Sequence, residues 1–217
     1  IIAEKNPRAK GFLVRVLDEI IWRVIPEANT RESNLVSGAI DAISPTGITL
    51  DQAMQFEKRH KDKFDFFYTE GLVWEHIDFN LDNEILKDKR VRHALAYGSD
   101  RDGIAQSLFS GRQPVAHGTE PPKSLYYNPN ITKYAFNQVK ARQLLDEAGW
   151  KLMPGKNIRE KNGKSLSLTM MTTSGNKTRE RVEQLLQSQW SQIGIDLKIK
   201  NEPAKVFFGQ TLRKRTF

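Results

Sequence analysis

Between positions 166 and 200 the apolar residues change their spacing twice, and this limits the fold more than any other feature of the chain. Leu166, Leu168 and Met170 alternate with Ser167 and Thr169, the period-two signature of a half-buried strand. After the polar turn TTSGNKT, the run RERVEQLLQSQWSQIG sets Val182, Leu185, Leu186, Gln189 and Ile193 at helical spacing. IDLKIK then alternates again. Strand, helix and strand in that order predict a βαβ-like crossover, and with it an α/β class of fold. Just upstream, Asn162 and Gly163 lie between two extended runs, the pairing that favours a two-residue hairpin turn.

The remaining segments extend this pattern. Asn137 is placed to cap a helix whose stripe is Ala141, Leu144, Leu145 and Ala148, with Gly149 as a left-handed stop. In KDKRVRHALAYGSDRDG (87–103), Val91, Ala94 and Leu95 recur at three and four, so the stretch predicts a helix over 88–97. Gly98 and Ser99 end it, and Asp100 caps a second helix with Ile104 and Leu108 inward. Nearer the start, 20–25 is an apolar run stopped by Pro26 and predicts a buried strand. Thr30 is expected to cap a short helix that turns Leu35 and Val36 inward and ends at Gly38, and AIDAI (39–43) to resume as strand. Thr49 followed by Gln52 has the form of a capping box, with Ala53 and Phe56 on one face of the helix it opens. The aromatic-rich stretches KFDFFYTEG and WEHIDFN are expected to be extended.

Composition removes several kinds of chemistry. Among 217 residues there is no cysteine, so disulfides, thiolate metal sites and cysteine nucleophiles are excluded. The four histidines are scattered without the H-E-x-x-H spacing of a zinc helix, and no G-x-S-x-G, Walker or G-x-G-x-x-G motif occurs. No catalytic residue, metal site or cofactor is therefore expected, and the chain does not read as an enzyme. The 34 Lys and Arg against 26 Asp and Glu leave a net charge of +8, compatible with a basic nucleic-acid-binding module as the alternative reading. Against it, the basic run at 87–92 is broken by acids within two turns, whereas a nucleic-acid helix needs a continuous cationic face. No apolar run approaches the length of a membrane span, and IIAEKNPRAKG lacks the apolar core of a signal peptide.

The stretch 79–122 resembles the signature of the family 5 extracellular solute-binding proteins of ABC importers, the dipeptide, oligopeptide and nickel-binding group. Phe79 and Asn80, the run Val91-Arg92-His93-Ala94-Leu95, the triplet Asp100-Arg101-Asp102, Gly111, and Pro121 with Pro122 match that pattern in order and spacing. Upstream, IIWRVIPEANTRESNLVSGAIDAI is similar to the family's strand and I-P-D-A-N-T-R helix. Downstream, NPNITKYAFNQVKARQLLDEAGW resembles its helix ending in E-A-G-W. The likeness runs from about residue 18 to 217; Arg8 and Ala9, after Asn6 and Pro7, depart from positions that are usually aromatic.

The resemblance implies a fold and a function together. The fold would be α/β, periplasmic-binding-protein type II-like, with mixed sheets flanked by helices and only part of a longer receptor present. Residues 1–79 would be the closing part of the first lobe with its hinge strand, and 80–217 the first part of the last lobe. A signal peptide or lipid-anchor cysteine would lie upstream, and the aspartate that pairs with a peptide amino terminus in oligopeptide-binding relatives would lie downstream. The function implied is the substrate-binding component of an ABC importer, periplasmic or otherwise outside the cytoplasmic membrane. Its partners would be a short peptide or related small solute and a membrane permease, with no nucleic acid. Five residues carry over to a ligand-binding role. Asp78 would face ligand, or else be a solvent-facing strand carboxylate. Trp74 would pack on ligand side chains, or else stack at the hinge. Thr173, Ser174 and Asn176 would present a helix N-terminus to a carboxylate, or else simply cap that helix.

Overall fold

A computed structural model describes residues 19–44, 47–69 and 74–217. The readings at Asn6 to Ala9 and for IIAEKNPRAKG lie outside the described residues. The chain forms two compact units, Ile1–Gly71 and Leu72–Phe217.

In the first unit, helix α1 (Ala28–Ser37) ends at a left-handed Gly38, as anticipated. Its N-cap is Glu27 rather than Thr30, which lies inside the helix, and no side chain caps it. Instead the Arg31 guanidinium donates to the carbonyls of Ile25 and Pro26, fastening the incoming chain to the first turn. Leu35 and Val36 are only half-buried. Helix α2 (Leu50–His60) has the capping box in full: Gln52 N donates to Thr49 Oγ1 at 3.2 Å, and Thr49 N donates to Gln52 Oε1 at 3.0 Å. Ala53 and Phe56 are buried, and Phe56 meets the rings of His60, Phe64 and Phe66.

The two strands expected in this unit, 20–25 and 39–43, are not strands. Ile20, Ile21, Trp22 and Val24 stand exposed, because no other described segment offers them a ladder. A strand is defined by its partner as much as by its own pattern.

The second unit holds the main core. Helix α3 (Lys89–Tyr97) is capped by Asp88, whose side chain accepts from Arg90 N. Val91, Ala94 and Leu95 are essentially inaccessible and face helix α5 (Gln138–Glu147), whose Ala141, Leu144 and Leu145 are likewise buried. Asp100 caps helix α4 (Arg101–Phe109), and Asn137 caps α5 with a 2.9 Å bond from Lys140 N. Each buried aliphatic side chain in this layer contributes roughly 1.5–3 kcal/mol of transfer free energy. Strands β1 (Glu160–Lys161) and β2 (Lys164–Ser165) pair antiparallel through Asn162 and Gly163. Both have positive φ, 51° and 75°, which selects the Asn-Gly turn.

The crossover read at 166–200 is present. Strand β3 (Ser167–Met170) pairs in parallel with β4 (Asp196–Ile199), Leu168 opposite Leu197, with α6 (Lys177–Ser191) between them in sequence. Trp190 and Ile193 from the end of α6 press on Gly98, where an added Cβ would lie 2.7 Å from Ile193 Cδ1. Trp190 Nε1 also donates to Ser99 Oγ at 2.9 Å, locking the α3–α4 corner to α6. Buried Arg159 donates to the carbonyls of Ile193 and Trp150 and to Asp146, closing the far end of the sheet. After β4 a short helix α7 (Ala204–Val206) runs into a π turn, Phe207–Thr211. Among the described residues no helix is long and apolar enough to cross a membrane.

Candidate functional site

Parallel strands direct their carboxyl ends to one edge of a sheet, and in open α/β sheets that edge is where ligands are taken. Here the edge is finished by polar groups. Beyond β3, Thr172 N donates to Asn201 Oδ1 at 2.9 Å, Thr173 makes an isolated parallel bridge with Glu202, and Ser174 N donates to Glu202 O at 2.8 Å. Glu202 in turn accepts from Thr211 Oγ1. The turn 172–176 is thereby fixed to the chain after β4 before it enters α6.

At the start of α6, Asn176 Oδ1 accepts from Arg179 N at 3.1 Å, so its side chain caps the helix. Glu180 reaches back to Gly175 N at 2.8 Å and holds Lys177 Nζ at 2.9 Å; that lysine bond is the main reason its carboxyl sits below the usual glutamate range. The Arg179 side chain turns to Glu75 in a two-pronged pair, Nε to Oε2 at 3.0 Å and Nη2 to Oε1 at 2.8 Å, both side chains about half exposed. Glu75 raises the arginine's pKa further.

That pair brings the segment 74–78 to the start of α6 across 104 positions of sequence. Trp74 stacks on His76 with ring centroids 4.1 Å apart and is partly exposed. His76 Nε2 lies 3.2 Å from Asp78 Oδ2, and the Asp78 side chain is 78% exposed. The two groups of residues singled out by the sequence are therefore joined, by Glu75 and Arg179 rather than by direct contact of Trp74 or Asp78 with Thr173, Ser174 or Asn176. Neither Glu75 nor Arg179 stands out in the sequence, since nothing in a one-dimensional spacing links positions so far apart.

Glu183 also escapes sequence reasoning. It lies one turn beyond Arg179 on α6 and is 4% exposed. Its Oε2 accepts from Asn201 Nδ2 at 2.7 Å, while Oε1 is buried without a partner. Burial pushes its carboxyl up, against the opposing Asn201 bond and helped by the nearby Glu180. A Glu in a stripe otherwise apolar at Val182, Leu185 and Leu186 is the only available signal.

No three His, Cys, Asp or Glu side chains converge to hold a metal among the described residues. His93 and His117 are both held below the usual histidine value, chiefly by burial, and sit apart from this edge. Both arginines of the basic stretch at 87–92 are engaged within the chain. Arg90 binds Asp88 and the Glu147 carbonyl, and Arg92 binds the carbonyls of Leu86 and Lys87. No continuous cationic face is left there for a polyanion.

Comparison with known proteins gives the same picture throughout the chain. The family described as "Bacterial extracellular solute-binding proteins, family 5 Middle" matches residues 1–217. The chain is 35% identical over 184 residues to the oligopeptide-binding protein AppA of Bacillus subtilis, covering 84% of this chain and 33% of that protein. It is 29% identical over 183 residues to the glutathione-binding protein GsiB of Escherichia coli, covering 84% and 32%. Among solved structures it is similar to an oligopeptide-binding protein from Thermus thermophilus complexed with a pentapeptide: TM-score 0.71, 36% identity, 85% of this chain and 33% of that one. The chain thus spans about a third of the length of the relatives it matches.

Proposed function

The chain belongs to the bacterial extracellular solute-binding proteins, family 5, with their type II periplasmic-binding-protein fold, and from this premise we propose that it is the middle part of an ABC-importer receptor for short peptides. The receptor works outside the cytoplasmic membrane and hands its solute to a membrane permease. The observation that carries the reading is the edge at 172–176 and 201–202, where the carboxyl ends of a parallel strand pair meet the start of a 15-residue helix. Such an edge offers the favourable end of a helix dipole to an anionic group such as a peptide carboxylate. The relatives named for oligopeptides and glutathione, and the relative solved with a pentapeptide, support a peptidic solute.

In this reading Asp78, exposed beside the Trp74–His76 stack, supplies a carboxylate for a cationic group of the solute, and Trp74 supplies a flat apolar surface for side chains. Ser174, exposed at the turn, contributes its hydroxyl, Thr173 holds the bridge to Glu202 beneath it, and Asn176 acts through the helix it caps. Recognition needs no bond making, so no general base or nucleophile is required of these residues.

Calorimetry of the intact receptor with di-, tri- and pentapeptides, glutathione, murein peptides, nickel complexes and haem tests the proposal. Saturable heat with at least one peptide class is expected, and no uptake of any class sinks it. Duplex DNA at low salt is the control for the nucleic-acid alternative, and no salt-dependent binding is expected.

A further inference from the structure

Buried polar atoms without partners are rare in folded proteins, so the bare Oε1 of Glu183 asks for an explanation. A residue four positions earlier on the same helix face is within side-chain reach, and that residue is Arg179, an obligate cation. Arg179 is engaged elsewhere, in its exposed pair with Glu75 on the segment 74–78. Both partners of that pair are about half exposed, so solvent and salt screen it, although its two-pronged geometry is the strongest form an exposed pair takes. The other carboxylate nearby, Glu180, has both oxygens occupied by Gly175 N and Lys177 Nζ. Oε1 of Glu183 is thus an open acceptor one turn from an arginine whose present partner lies in solvent.

We propose that Arg179 is an exchange residue: it leaves Glu75 for Oε1 of Glu183 when the segment 74–78 shifts, and so couples that segment to the solute-binding edge. The coupling path is short. Glu183 Oε2 is bonded to Asn201 Nδ2, and Asn201 Oδ1 holds Thr172 N at the base of the 172–176 turn. In the Glu75-paired state the burial of Glu183 favours its neutral form. As the guanidinium arrives, the carboxyl gives its proton to solvent and a buried ion pair replaces a neutral acid. The two arrangements are discrete, as a two-state element must be. The link to solute uptake rests on the receptor reading; the exchange itself does not.

The test is the titration of Glu183, followed by NMR in the intact receptor carrying 13C-labelled glutamate, with its signal assigned by loss in Glu183→Gln. Glu75→Ala releases Arg179, and the midpoint of Glu183 is expected to fall back toward the ordinary value of 4.5. Arg179→Gln is expected to leave the wild-type midpoint in place, and the double variant to restore it. An unchanged midpoint in Glu75→Ala overturns the exchange. Saturating penta-alanine is expected to lower the midpoint in the wild type. Heat of binding without that change overturns the coupling to uptake. No heat with any solute class overturns the receptor reading, while the Glu75→Ala titration still decides the exchange.

Discussion

Two apolar runs of similar character, IIWRVI at 20–25 and LSLTM at 166–170, reach opposite ends. The second is a strand with Leu166 and Leu168 buried, and the first is an exposed stretch in no ladder. One alternates and the other is almost continuously apolar, yet both patterns read as strand. What separates them is the partner: β3 has IDLKI after one helix to pair with in parallel, and no described segment serves 20–25. Hydrogen-bonded ladders and side-chain burial arrive together in a sheet, so a run without a partner gains neither.

The largest effect that would break this contrast is a pair of tryptophan truncations. Trp190 is 2% exposed and bonded to Ser99, while Trp22 is 81% exposed. Trp190→Ala is expected to cost about 3–5 kcal/mol in urea unfolding, chiefly from the cavity, since Ser99 Oγ loses the indole donor but keeps its own bond to the Leu95 carbonyl. Trp22→Ala is expected to stay within about 0.5 kcal/mol. A comparable loss at Trp22 would mean that 20–25 is packed in solution, and the contrast would fall.

What is legible in the sequence follows the same division. Capped helices read well because a cap, a 3.6-residue stripe and a stop all lie within one stretch. Thr49 with Gln52, Asp100 and Asn137 cap as expected, Asn176 caps α6 as the alternative to its ligand role had it, and Asn162 with Gly163 turns as expected. Thr30 fails as a cap because Arg31, binding the carbonyls of 25 and 26, starts α1 earlier without any side-chain cap. The strands expected at 20–25 and 39–43 do not form, since an apolar pattern signals a face to be buried without supplying the neighbour. At the candidate site, the turn 172–176 is visible as a polar break before a helix. The pairs Glu75–Arg179 and Glu183–Asn201 are not, because they are set by how separate elements pack.

The second contrast is between two glutamates with opposite shifts. In the first unit Glu32 is held below its ordinary range, chiefly by the Arg59 bond and further by His60, against burial. In the second unit Glu183 is pushed up by burial. A lowered folded pKa means stabilisation that is present above the unfolded value of 4.5 and lost as pH falls through the folded one. A raised pKa means stabilisation present below 4.5 and lost as pH rises through the folded value. Glu183→Gln, which mimics the neutral acid, is therefore expected to gain stability at neutral pH, the gain fading as pH falls through the raised value and gone by 4.5. Glu32→Gln is expected to lose about 1 kcal/mol at neutral pH, fading as the solution is acidified. Thermal melts across that range check both, and the same sign for the two variants would refute the assignment.

The smallest effect asks whether the two units differ in local as well as in long-range order. Thr49 and Asn137 cap helices of 11 and 10 residues, one in each unit, and each accepts a bond from the third residue on. Caps satisfy backbone donors at the end of one helix and need nothing from a distant segment, so both substitutions to Ala should cost about 1 kcal/mol. Equal losses would confine the difference between the units to sheet partners. If Thr49→Ala costs nothing while Asn137→Ala costs the full amount, α2 is held by the packing of Phe56 against Phe64 and Phe66 rather than by its cap. Local capping would then be the weaker of the two signals in the first unit, and the capping box would name where α2 begins without being what keeps it formed.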